Sequence, residues 1–95
     1  MDCYVVCENV YHDDMLQSVN IIGVGETLED ANALIKSNRE ELKRLFHGKF
    51  VTDSYYEDGS HEFCSMNGDV YCTCACKTEF RKMTAKESEK VATNA

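Results

Sequence analysis

The sequence predicts an α+β fold in the order ββαβββ, one antiparallel sheet with a single helix packed on one face. Three observations carry this: stretches rich in valine, tyrosine and cysteine that alternate with period two, one stretch of helical spacing over residues 27–47, and turn chemistry between the later strands. Residues 3–11 form the first strand, with Tyr4 and Val6 on one side of the pleat and Cys3, Val5 and Cys7 on the other. The polar His12, Asp13 and Asp14 lead into a second strand, residues 18–24, and so short a connection implies a hairpin. Thr27 followed by Asp30 opens the helix, because a side-chain oxygen is available to a free amide of the first turn. Leu28, Ala31, Leu34, Ile35, Leu42, Leu45 and Phe46 then make one apolar stripe, and Gly48 stops the helix. Residues 50–56 are a third strand, followed by the turn Glu57-Asp58-Gly59-Ser60. The last two strands, 61–66 and 70–80, flank Asn67-Gly68, a strong hairpin signal. Residues 1–80 read as one domain, and 81–95, with scarcely an apolar side chain, as a mobile tail.

At 95 residues the chain is one domain, and 43% hydrophobic with 28% charged residues is the balance of a folded protein. The net charge of −7 has the wrong sign for direct binding to nucleic acid or to an anionic membrane. Residues 1–80 hold six bases against fifteen acids, whereas the helix balances Lys36, Arg39, Lys43 and Arg44 against Glu29, Asp30, Glu40 and Glu41. The acidity therefore belongs to strands and loops, and suits a basic protein surface as partner. No apolar run approaches the roughly 20 residues that cross a bilayer, and the N-terminus has no secretory pattern, so a reducing cytoplasm is expected.

Six cysteines in such a compartment point to metal more than to disulfides. Cys72, Cys74 and Cys76 alternate along one strand and share a face. A two-residue Asn67-Gly68 turn pairs Phe63 with Cys72; a three-residue loop that includes Asp69 pairs Cys64 with Cys72 and Glu62 with Cys74, and the continuous apolar face it creates favours the second. If the first and last strands are antiparallel neighbours, pairing Cys7 with Cys72 also pairs Cys3 with Cys76. Zinc needs four ligands with sulfurs roughly 3.8 Å apart, and alternate strand residues stand about 6.6 Å apart, so at most two thiols of the Cys72–Cys76 run reach one ion. The expected ligands are drawn from Cys7, Cys64, Cys72, Cys74 and Cys76, with His61 or His47 in reserve, and such a zinc is structural.

Nothing points to catalysis. His12, His47 and His61 stand in no recognisable spacing with a nucleophile, Gly23-Val24-Gly25 lacks the lysine and further glycines of a phosphate loop, and there is no C-x-x-C pair. The expected contact residues are the acids Asp13, Asp14, Glu57, Asp58 and Glu62, with Tyr55 or Tyr56 as an aromatic anchor, since the two tyrosines cannot both face the core.

With YVVCENVYHDD leading into IIGVGETLEDANALI and the CTCAC cysteines, residues 1–80 resemble small acidic phage-encoded anti-CRISPR proteins of the type II, zinc-containing kind. The resemblance implies a non-enzymatic inhibitor that binds a type II RNA-guided DNA nuclease directly in the host bacterial cytoplasm, and it transfers no site residues. An acidic domain is complementary to the positively charged channel of such a nuclease. The alternative is a zinc-stabilised acidic adaptor for another basic host protein.

Overall fold

Alternation and turn chemistry produce five strands and one helix. The computed structural model describes residues 2–79, and the expected tail, 81–95, lies outside them. The elements are β1 (Asp2–His12), β2 (Met15–Gly25), α1 (Leu28–Leu45), β3 (Phe50–Tyr55), β4 (His61–Ser65) and β5 (Val70–Glu79). All five strands join one antiparallel sheet in the order β2-β1-β5-β4-β3. The first strand thus lies beside the last, at the centre of the sheet.

Two turns differ from the sequence reading. β1 and β2 run longer than expected, because only Asp13 and Asp14 separate them, both with positive φ (50° and 63°). This is the two-residue, mirror-image turn whose twist matches that of the flanking strands. Between β4 and β5 the loop is Met66-Asn67-Gly68, closed by Ser65 N–H to the Asp69 carbonyl at 2.9 Å. Gly68 alone adopts positive φ (93°), and Asn67 Oδ1 accepts from the Asp69 amide at 3.1 Å. The loop has three residues but does not include Asp69, so Cys64 pairs with Val70 and Glu62 with Cys72. The register preferred from sequence was two residues out, which preserved the faces and changed every neighbour.

The helix begins where expected: Thr27 is extended and its Oγ1 accepts from the Asp30 amide at 3.1 Å. Glu29 and Asp30 in the first turn and Lys43 and Arg44 in the last complement the helix dipole. It ends at Leu45, two residues short of His47, where His47 and Gly48 both turn left-handed and the Gly48 amide bonds the Lys43 carbonyl at 2.8 Å. Of the apolar stripe, Ala31, Ile35 and Leu42 are buried, while Leu28 and Leu45 at the ends stay exposed. Entry of the chain into the helix leaves no room at Gly25, where a Cβ would stand 2.8 Å from the Ala31 nitrogen.

The helix covers one face of the sheet, and the core beneath it has three bands. Val6, Ala31 and Ile35, with Tyr4, Ile22, Leu34 and Ala75, fill one end. Phe63 fills the other against the rings of Phe46, Phe50 and Tyr71 at centroid distances of 5.6, 5.3 and 6.3 Å. Between them runs a polar belt. Asn38 Nδ2 donates to Glu8 Oε2 at 2.7 Å and to Thr73 Oγ1 at 3.1 Å, and Asn20 donates to the other Glu8 oxygen. Arg39 grips Asp53 through Nε and Nη2, at 2.9 and 2.7 Å, and His61 Nε2 donates to the same carboxylate at 2.5 Å. The His61 and Asp53 side chains are 0% and 5% exposed. The Arg39 guanidinium, then the His61 hydrogen bond, outweigh burial and hold the Asp53 carboxyl at about 2.

Candidate protein-binding face

Side chains alternate across a sheet, so every position opposed to the helix-facing set stands on a second face that no described element covers. Its rows follow from the register. Thr52, Cys64, Val70, Tyr11 and Leu16 form one; Ser54, Glu62, Cys72, Asn9 and Val19 the next; then Cys74, Cys7 and Ile21; then Cys76, Val5 and Val24. Cys7 therefore stands opposite Cys74 rather than Cys72, and Cys3 opposite Thr78 rather than Cys76. Among these described strand positions there is no lysine or arginine, and Glu62 is the single charge.

The five thiols proposed as ligands share this face, half-buried except for Cys76, which is exposed. Burial pushes the Cys72 and Cys74 thiols up, helped by Glu62 at Cys72 and by Cys76 and Cys7 at Cys74, so both hold their protons near neutral pH. Among the described residues no group of three or more His, Cys, Asp or Glu side chains converges at ligand spacing. Cys74 interacts with Cys76 on its own strand and with Cys7 across the sheet. His61 cannot serve in reserve, because it points to the helix side beside Phe63 and Thr73.

The expected contact residues sit around this face in two groups. Asp13 and Asp14, in the β1–β2 turn, join Glu62, Tyr11, Gly68 and Val70 around a shallow depression of about 560 Å³. That turn is tied to the β4–β5 loop by His12 Nδ1 and Asp69 Oδ1 at 2.7 Å; the hydrogen bond, then the Asp13 charge, raise the His12 pKa. Glu57 and Asp58 lie at the opposite end, in the β3–β4 turn, where Asp58 Oδ1 accepts from the Ser60 amide at 2.9 Å and its hydroxyl at 2.6 Å. Those bonds draw the Asp58 carboxyl below its ordinary value. Tyr56 Oη donates to Glu62, and this bond raises the tyrosine pKa. Tyr55 and Tyr56 are both exposed, at 43% and 53%. Tyr55 stacks beside His61 and under Arg39, on the helix side, so of the two only Tyr56 belongs to this face.

Two acids leave the expected acidic surface, since Asp53 and Glu8 lie in the polar belt. Conversely, the sequence reading set Val5 and Val70 on the thiol face but passed over its further apolar members Tyr11, Val19 and Ile21. For Tyr11 the available signal was its parity with Cys3 and Cys7 on the same strand, whereas Val19 and Ile21 depend on a register that slips twice.

No family model matches the chain, and no curated protein or solved structure matches it. No helix among the described residues is long and apolar enough to cross a membrane.

Proposed function

We propose that this chain is a non-enzymatic binding domain that docks its uncovered sheet face onto a basic protein surface. The observation that carries the reading is the face itself: an apolar and thiol-lined interior without a cation among its described strand positions, rimmed by Asp13 and Asp14 at one end and Glu57 and Asp58 at the other. An apolar centre within a charged rim is the anatomy of a protein interface, and rim charge chiefly accelerates encounter. Two copies face to face would bring acid against acid, so a basic partner is the better fit. Following the sequence resemblance, that partner is a type II RNA-guided DNA nuclease, inhibited stoichiometrically by occupation of its nucleic-acid channel.

Titrated cleavage assays at several salt concentrations test this. Reversing Asp13, Asp14, Glu57 and Asp58 to lysine is expected to slow association roughly tenfold or more and to flatten its salt dependence; because Asp13 and Asp14 hold positive φ and Asp58 accepts from Ser60, circular dichroism first checks that each variant keeps the fold. Unchanged inhibition would move the contact to the helix, with Lys36, Lys43 and Arg44 but without Arg39, which Asp53 holds. Inhibition far below one chain per nuclease would mean an enzyme, and binding only to other basic proteins would favour the adaptor.

Zinc belongs to the same proposal. It requires thiols of β1 and β5 to converge from their strand positions, with Cys7, Cys74 and Cys76 as the starting cluster. Elemental analysis of protein prepared under reducing conditions is expected to find about one zinc per chain if they converge. Metal-free protein that still binds would leave the face a docking surface alone.

A further inference from the structure

The two edges of the sheet are finished differently. β3 is six residues long and turns a charged side chain, Asp53, inward. Those features blunt an edge against pairing. β2 is eleven residues long, MLQSVNIIGVG, without a charge or a proline, and no described strand pairs along its outer side. Its register with β1 slips twice, leaving Gln17 and Ile22 as the extra residues on either side of Asn20. The slips bring Leu16, Val19, Ile21 and Val24 to one face, where they are 53%, 55%, 71% and 61% exposed.

We propose that β2 pairs antiparallel with β2 of a second copy of this chain, about a two-fold axis at Asn20, extending the sheet from five strands to ten. In that register Val19 stands opposite Ile21 of the second copy and Leu16 opposite Val24, on both sides of the axis. On the helix side Ser18 meets Ile22. On the exposed face, Val19 against Ile21 and Leu16 against Val24 thus set aliphatic side chains against aliphatic side chains, the self-complementarity that an isologous contact requires. The absence of charge from β2 matters in a chain so acidic, because the strand is where two copies meet with least repulsion. The flanking acids Asp14 and Glu26 approach their mates only at the two ends of the pair. Pairing therefore tightens as salt rises, the reverse of docking onto a basic partner, and the two readings stand or fall separately.

Sedimentation of the full chain under reducing conditions tests the pairing. The mass of two chains is expected at high concentration, with a dissociation constant that falls as salt increases. Val19→Lys with Ile21→Lys sets like charges opposite one another at exposed positions and is expected to return the mass to one chain. Val51→Lys on β3, also exposed, is expected to leave the pair intact. Hydrogen exchange on the unaltered protein gives a second reading: β2 amides should gain protection with concentration while β3 amides do not. A wild-type mass of one chain at all concentrations, a pair that survives the double variant, dissociation by Val51→Lys instead, or an assembly larger than two would each overturn the proposal.

Discussion

Replacing Asp53 with alanine is expected to destabilise the domain by about 3 kcal/mol, the cost of removing the buried carboxylate that pairs with the half-buried Arg39 and accepts from the fully buried His61. Arg39 loses both of its close contacts, and His61, fully buried, loses the acceptor for Nε2. Urea unfolding measures the loss, and a change below about 1 kcal/mol would show the pair to be a solvated one. The acid limb of the stability profile gives an independent reading. The folded-state carboxyl sits at about 2 against an ordinary 3.8, so its contribution is present above about pH 4 and fades as pH falls through 2. The shift corresponds to about 2 kcal/mol, and the alanine variant is expected to lose that part of the slope.

Truncating Phe63 to alanine is expected to cost about 3–5 kcal/mol by a different route. The side chain is fully buried and its ring is the hub on which Phe46, Phe50 and Tyr71 converge. Phe46 follows directly on the last turn of α1, so the cavity also loosens the helix C-terminus, visible as lost amide protection there and reduced near-ultraviolet dichroism. Phe63→Leu, which leaves a smaller void, is expected to lose less than half as much. Equal losses for leucine and alanine would show that ring geometry rather than filled volume holds this end of the core. Against a typical total of 5–15 kcal/mol, either alanine variant removes a large share of stability.

The order of elements was legible because each announces itself locally: the helix through its cap and stripe, the hairpins through their turns. What stayed hidden depended on pairings between distant residues. Asp53 is the clearest case. Phe50 faces the core, and strict alternation would then send Asp53 outward; the irregularity in β3 between Phe50 and Thr52 reverses the parity and buries the carboxylate beside Arg39. A one-residue slip leaves no mark in composition. Glu8 and His61 are different, since each shares parity with a core residue, Val6 and Phe63, and their burial was readable. They were passed over because acid and histidine side chains are ordinarily solvated, a rule that fails wherever a partner such as Asn38 waits opposite. The candidate face was half legible: alternation grouped the thiols correctly, but their partners hung on a hairpin register that one loop residue decides.

The position of β5 between β1 and β4 bears on how the chain reaches this state. During synthesis the β1–β2 hairpin and α1 emerge first, and β3 and β4 follow as a second hairpin with no strand to join it to the first. Only the last strand welds the two halves, by pairing with β1 on one side and β4 on the other. The closing contacts span nearly the whole described chain, from Asp2 to Glu79, and long-range closure of this kind is slow. Until residue 79 clears the ribosome, the inner edge of β1 and the apolar rows beside it have nothing to bind, and the nascent chain is most exposed to chaperones and proteases in that interval.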